Sequence, residues 1–121
     1  MSRPLLDESR VHPAIRAQVG ALHRELVDEV MAALAAHAVV VVGMQGNPFV
    51  RQARQALDSA GAAHHYKECG SYFSQWRRRN ALKMWSGWPT FPMVFVRGVL
   101  VGGATDLRRL IASGELKRLL G

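Results

Sequence analysis

One junction in the sequence has the layout of a reactive thiol site but carries no thiol. Residues 39–57 read VVVVGMQGNPFVRQARQAL, a β-branched run that leads through a glycine-containing loop into a helix pattern. A cysteine at the start of such a helix is stabilised as a thiolate, because backbone N–H groups and the helix dipole favour negative charge there. Asn47 and Pro48 stand at that point. Asparagine is a preferred N-cap and proline suits the first helical position, so the pair predicts a structural cap and not a nucleophile.

The single cysteine of the chain lies elsewhere. Cys69 falls at the end of a predicted strand, where nothing would stabilise a thiolate, so we expect an ordinary thiol. One cysteine cannot form an intramolecular disulfide or a thiolate cluster, and the nearby His64 and His65 lack a metal-ligand spacing. The sequence therefore predicts no metal site. Its low cysteine content suits a reducing compartment, and we expect a cytoplasmic protein.

Basic residues are concentrated in the middle of the chain. The 121 residues carry a net charge of +7. Residues 1–50 hold four Lys or Arg against five acids (net −1), residues 51–90 hold seven against two (net +5), and residues 91–121 hold five against two (net +3). Such a region is typical of a solvated helix face, of an anion site or of a nucleic-acid surface.

Composition limits the class of protein. Hydrophobic residues make up 49% of the chain, which is enough for the core of one domain. The N-terminal sequence MSRPLLDESR is mixed and charged and does not resemble a signal peptide. The longest apolar stretch, 31–44, is broken by His37 and is shorter than the roughly 20 residues of a membrane span. We therefore expect no membrane association.

The spacing of apolar residues predicts an α/β domain. Its β-α-β start favours a parallel pair of strands with a right-handed crossover, and a later hairpin adds an antiparallel pair. We expect a four-stranded mixed sheet with helices on both faces, formed by residues 20–121, and an N-terminal arm over residues 1–19. The predicted elements are helices over about 20–36, 49–60, 71–85, 104–114 and 115–121, and strands over 38–42, 62–69, 93–96 and 99–101.

This order of elements, with two local stretches, resembles the glutaredoxin family. WPTFPMVFVRGVLVGGATDL, residues 88–107, is similar to the family block of Trp-Pro-Thr-x-Pro, a strand, x-Gly, a strand and Gly-Gly-x-x-Asp. Its Trp-Pro-Thr opening is most like the monothiol branch. NPFVRQARQAL overlays the dithiol pattern Cys-Pro-Phe/Tyr-Cys followed by a basic helix. The resemblance implies a thioredoxin fold with an extra N-terminal helix.

The resemblance also implies a degenerate active site. Asn47 stands where the family has its nucleophilic cysteine and Val50 where it has the resolving cysteine, so we expect no catalytic residue. The family lysine just upstream is replaced by Met44 or Gln45, and the monothiol motif Cys-Gly-Phe-Ser is absent. An iron–sulfur carrier would therefore lack its protein thiolate ligand.

Other residues of the family's glutathione site remain, and the resemblance assigns them roles. Arg79 would hold a glycyl carboxylate, the backbone of Phe91 would pair with a peptide, and Pro92 would follow a cis peptide bond. Several residues of this site also have a structural explanation. Arg79 could be a solvated charge, Gly102 and Gly103 could form a turn, and Asp106 could be an N-cap. Trp76, Trp85 and Trp88 are expected in the core or in the groove wall. The predicted glutathione-binding set is Arg79, Thr90, Phe91, Pro92, Gly102, Gly103, Thr105 and Asp106.

Three functions fit these observations. The first is a non-catalytic glutaredoxin-like protein that binds glutathione or an extended peptide in the cis-proline groove, in an accessory or regulatory role in cell redox homeostasis. The second is a basic module that binds another protein or, less readily, nucleic acid through arginines at 51, 54 and 77–79. The third is residual thiol–disulfide oxidoreductase activity through Cys69 and glutathione. The sequence specifies no cofactor with certainty, and glutathione is the ligand that the resemblance implies.

Overall fold

The computed structural model describes residues 3–21, 24–70 and 76–121. Its centre is one mixed sheet of four strands in the order β2-β1-β3-β4. The strands are β1 (Val39–Gly43), β2 (His65–Glu68), β3 (Met93–Val96) and β4 (Val99–Gly102). Strand β1 runs parallel to β2 and antiparallel to β3, which pairs antiparallel with β4. The predicted thioredoxin-type α/β fold is therefore confirmed.

Helices cover both faces of the sheet. They are α1 (Pro13–Ala21), α2 (Arg24–Ala36), α3 (Pro48–Ser59), α4 (Trp76–Ser86), α5 (Ala104–Ala112) and α6 (Glu115–Leu120), preceded by a 3₁₀ turn at Glu8–Arg10. None of the described helices combines the length and the apolar character that crossing a membrane requires.

Successive side chains of the central strands point to opposite faces of the sheet, so the core has two layers. Val40 and Val42 of β1 pack in the layer of α2 and α4, around Leu26 and Leu82, while Val39 and Val41 face the layer of α3, α5 and α6. The same alternation runs along β3. A strand with both faces buried needs an uninterrupted apolar sequence, and this explains the run of four valines.

The ends of several elements differ from the prediction. Residues 13–21 form α1, so part of the predicted N-terminal arm is helical, and Pro13 occupies the first helical position, where its missing N–H costs no hydrogen bond. Strand β2 is shorter than the predicted 62–69, and α4 is described only from Trp76, so the start of the predicted third helix lies outside the described residues. The β3–β4 turn has positive φ at both Arg97 (53°) and Gly98 (78°), as a tight two-residue hairpin requires.

Candidate functional site

The start of α3 is closed by an asparagine cap. The Asn47 side chain accepts hydrogen bonds from the backbone N–H groups of Phe49 (2.8 Å) and Val50 (3.3 Å), and Pro48 occupies the first turn. Asn47 is 8% exposed. These two N–H groups are among those that a helix start leaves without an intrahelical partner, so the amide oxygen stands where an anion would be stabilised.

Val50 is a packing residue. Its side chain is buried, and a Cβ placed on Gly43 would lie only 2.4 Å from its Cγ2. The close approach of α3 to the end of β1 therefore requires a residue without a side chain at position 43.

An open groove of about 470 Å³ lies beside the cap. It is bounded by the start of α3, by residues 88–92 and by the start of α5, and the Phe91–Pro92 peptide bond on its floor is cis. Three elements that are distant in the chain thus converge on one surface. The lining residues are Met44, Asn47, Phe49, Lys83, Trp88, Pro89, Thr90, Phe91, Pro92, Gly103, Ala104, Thr105 and Asp106.

Most residues of the predicted ligand set meet in this groove. Arg79 and Gly102 do not line it, and Val50 faces a neighbouring cavity instead. The residues that the structure brings together are Thr90, Phe91, Pro92, Gly103, Thr105 and Asp106, with Asn47 at the vacated nucleophile position.

Arg79 lies inside the domain. It is 5% exposed, and its Nη1 donates a hydrogen bond to the carbonyl oxygen of Cys69 at 3.0 Å. The Cys69 N–H in turn donates to the carbonyl of Gly43 at 2.7 Å. The guanidinium thus connects α4 to the segment that follows β2 by a hydrogen bond. The sequence had suggested either contact with a ligand carboxylate or a solvated charge, and this structural role is a third one. Its contact with a ligand carboxylate stays a prediction.

Gly102 and Asp106 form the turn into α5. Asp106 Oδ2 accepts a hydrogen bond from the backbone N–H of Gly103 at 3.0 Å. Gly103 is the N-cap and Asp106 is the third helical residue, whose carboxylate reaches back to the cap, so the prediction of Asp106 itself as the N-cap was wrong. Gly102 has φ +115°, and a Cβ there would lie 2.6 Å from Asp106 Oδ2. Gly102 therefore serves the turn, while Asp106 both caps α5 and lines the groove.

Sequence reasoning missed a cation of the groove. Lys83 lines it, and its Nζ lies 5.8 Å from the centre of the Phe91 ring. Lys83 follows Arg79 by four residues, and side chains at that spacing share one face of a helix. The structure separates the two residues, because Arg79 is buried against the Cys69 carbonyl while Lys83 lines the groove, so helical spacing alone does not identify Lys83.

Cys69 has the properties of a buried structural thiol. Its side chain is fully buried in the α2–α4 layer of the core, and burial raises the pKa of the thiol to about 11. Because only the thiolate is nucleophilic, this environment disfavours reaction at neutral pH. Within the described residues, no group of three or more His, Cys, Asp or Glu side chains could hold a metal ion.

A second cavity of about 340 Å³ lies on the other side of the Asn47 cap. Arg51 and Arg54 line it, and Arg54 sits 4.5 Å above the Tyr66 ring in a cation–π contact. Burial, followed by the neighbouring Glu68 carboxylate, raises the pKa of Tyr66 to about 12. This cavity also contains Asp58 and Glu68, so it presents mixed charge.

Comparison with known proteins agrees with this geometry. Residues 39–101 match the glutaredoxin family. A glutaredoxin-like protein of Dictyostelium discoideum is 42% identical over 94 residues, which cover 78% of this chain and 76% of that protein. Oxidised glutaredoxin 2 of Chlamydomonas reinhardtii has a TM-score of 0.70 at 25% identity, over 81% of this chain and 92% of that one. A buckwheat glutaredoxin–glutathione complex has a TM-score of 0.71 at 19% identity, over 83% and 91%, which speaks for the fold alone. The chain that places an asparagine cap at the head of this groove belongs to the glutaredoxin family.

Proposed function

We propose that this glutaredoxin-like protein is non-catalytic and binds glutathione or an extended peptide in the groove beside Asn47. The observation that carries the proposal is the retention of a groove around a position that holds an amide in place of a thiol. Phe91, Pro92, Thr105 and Asp106 line this groove together. Loss of the reactive atom without collapse of its surroundings supports a binding role.

The chemistry of the chain's thiol supports the non-catalytic part. Disulfide exchange begins with attack by a thiolate on a sulfur, and the Asn47 amide cannot perform that step. Cys69 is the alternative nucleophile, but it is buried, lies outside the residues that line the groove, and has a raised pKa. Residual oxidoreductase activity is therefore the weakest of the three hypotheses.

The groove offers contacts that match the chemistry of glutathione. Glutathione carries two carboxylates, one ammonium group and two amides. Lys83 can attract a carboxylate, Asp106 an ammonium group, and the backbone around Phe91 can pair with an extended peptide. The start of α5 adds N–H groups that favour negative charge.

A second candidate is a basic interaction module. Arg51 and Arg54 are exposed on α3 and support it. The arginine run at 77–79 supports it less, because Arg78 forms an ion pair with Glu25 (3.3 Å) and Arg79 is buried; the side chain of Arg77 lies outside what the structure describes. We expect duplex DNA, tested by fluorescence anisotropy, to bind weakly and to be released by salt, because such arginines contact phosphates without reading bases.

The proposal includes the setting of the protein. An accessory or regulatory role in redox homeostasis in the cytoplasm suits a chain that binds a thiol compound without exchanging electrons with it. In that role the partner is glutathione, a peptide ligand, or a protein that presents such a peptide.

Calorimetric titration with reduced glutathione tests the proposal. Wild-type protein should bind, and Lys83→Ala should weaken binding about tenfold, the effect of removing one charge-assisted hydrogen bond. Met84→Ala is the matched control, because Met84 is 60% exposed on the same helix and does not line the groove. Absence of binding at roughly 10 mM glutathione, a ligand level far above ordinary affinities, would refute glutathione as the ligand.

A further inference from the structure

An apolar groove lies at the C-terminal end of α3, about 18 Å along this helix from the Asn47 cap. It consists of two adjoining cavities of about 450 and 270 Å³, which have Ala60 and Ile111 in common. Leucines of α6 line it, and the small residues that end α3 leave it open. We call it the α3–α6 groove, and its principal lining residues are Ala60, Arg108, Ile111, Leu116, Lys117 and Leu120.

The charged side chains that line the α3–α6 groove are basic. Arg108 and Lys117 are exposed, and in the part of the chain that the structure describes neither forms an ion pair. Their neighbour Arg118, in contrast, is paired with Glu115. No described Asp or Glu lines either cavity. Apolar surface edged by charge is typical of an interaction site, and this one fits an apolar segment that carries negative charge.

The N-terminal arm contains such a segment. Leu5 and Leu6 are 71% and 65% exposed, and two acids, Asp7 and Glu8, follow them. The segment has a local conformation of its own, because the Asp7 carboxylate accepts a hydrogen bond from the Ser9 N–H at 2.8 Å and caps a 3₁₀ turn. Such local order lowers the entropic cost of docking the two leucines.

The arm of one molecule does not reach the α3–α6 groove of the same molecule. The Arg3 guanidinium occupies the space that a side chain at Gly87 would need, directly after α4. Leu5 follows Arg3 by two residues, a reach of about 7 Å. Helix α4 packs on the α2 side of the sheet, whereas α3, α5 and α6 lie on the other side. An arm that fills the groove therefore comes from another copy of the chain.

We propose that the Leu5–Glu8 segment of one copy docks in the α3–α6 groove of a second copy. The two leucines lie on the apolar floor, and the two carboxylates face Arg108 and Lys117. Two copies that exchange their arms reciprocally form a closed dimer. The helix α1 suits this exchange, because the side chains of residues 13–18 are all exposed and do not hold the arm to its own domain. The small contact area predicts a weak association that depends on concentration.

Sedimentation velocity from micromolar to millimolar concentration tests the arm. The wild-type protein should associate as its concentration rises. Leu5→Asp/Leu6→Asp should raise the dissociation constant more than about tenfold, because carboxylates cannot be buried on an apolar floor. Met31→Asp/Met84→Asp is the matched control, since these two methionines are exposed apolar residues of α2 and α4, away from the groove. It should associate as the wild type does.

The same measurement tests the groove with exposed residues whose replacement leaves the core intact. Arg108→Glu/Lys117→Glu should abolish association, whereas Arg51→Glu/Arg54→Glu makes the same change of charge outside the groove and should not. A mixture of the arm variant and the groove variant should associate again, because it brings an intact arm and an intact groove together. Added salt should weaken association of the wild type.

A peptide of residues 3–12, titrated into ¹⁵N-labelled protein, locates the contact by NMR. It should shift the amide resonances of Gly61 and Gly114, which line the groove, and a peptide of the same composition in scrambled order should not. A wild type that stays monomeric, association that persists in both the arm and the groove variants, or equal shifts with the scrambled peptide would overturn the proposal. Should a variant fail to fold, as judged by circular dichroism, the peptide titration of the wild type decides.

Discussion

Returning a thiol to the head of α3 should return a reactive thiolate. In Asn47→Cys, the sulfur would replace an amide oxygen that accepts N–H hydrogen bonds at 2.8 and 3.3 Å. Thiols at helix starts have pKa values of roughly 3.5–7.5, against about 8.5 for a free thiol. We expect a pKa of about 7, in the upper part of that range, because no lysine precedes the site. The shift corresponds to roughly 2 kcal/mol of preferential stabilisation of the thiolate.

Cys69 provides the internal reference for this prediction. At pH 7.5, a thiol of pKa about 7 is roughly three-quarters ionised, whereas Cys69, with its pKa raised to about 11, is ionised in fewer than about one molecule in 1000. A thiolate of lower pKa is also a weaker nucleophile, which reduces the roughly 2000-fold difference in thiolate fraction to about 30-fold in rate. Burial of Cys69 slows its reaction further, so the difference in rate between the two thiols exceeds this value.

The assay is pH-dependent alkylation followed by mass spectrometry, with mixed-disulfide formation after exposure to oxidised glutathione as a second readout. Asn47→Ser is the matched control, since serine keeps the helix cap but adds no thiol. Position 47 should be modified first in both readouts. A new thiol that titrates near pH 8.5, or that reacts no faster than Cys69, would refute the interpretation of residues 47–50 as a former thiol site.

Three further predictions concern neighbouring residues. The double variant Asn47→Cys/Val50→Cys should form an intramolecular disulfide on oxidation, measured by intact mass; two persistent free thiols would show that the family alignment is wrong there. Gly102→Ala should lower the free energy of unfolding by about 1–3 kcal/mol in urea, because φ of +115° is strained for alanine and its Cβ meets Asp106; a midpoint equal to the wild type's would contradict this. The pKa of Cys69 is raised in the folded state, so its contribution to stability is complete below about pH 9 and is lost as the pH rises through about 11; Cys69→Ala should flatten this alkaline decline in urea-unfolding measurements, and an unchanged decline would assign it to other groups.

Local chemistry made much of the site predictable. The Asn47-Pro48 cap depends only on adjacent residues, and so does the turn at Arg97-Gly98. The four-valine strand follows from burial on both faces. These features are specified within a few residues, and the structure has them where the sequence predicts them.

Residue positions that depend on the packing of α4 were not predictable. The sequence WRRRNALKMWS has consecutive arginines and no regular apolar stripe, so its buried face could not be identified. Tertiary packing turns Arg79 inward to the Cys69 carbonyl and leaves Lys83 on the groove. The burial of Trp88 Nε1 without a hydrogen-bond partner among the described residues likewise arises only from the three-dimensional arrangement of the chain.

The groove should bind its ligand without thiol chemistry. Parallel calorimetric titrations of the wild-type protein with reduced glutathione and with S-methylglutathione, each followed by intact mass spectrometry, test it most directly. Blocking the ligand thiol should not matter, because Asn47 offers no partner for a disulfide; we predict dissociation constants that agree within about twofold and no covalent adduct. Binding that requires the free thiol and leaves a mixed disulfide on the protein, or no binding of either compound, would contradict the claim.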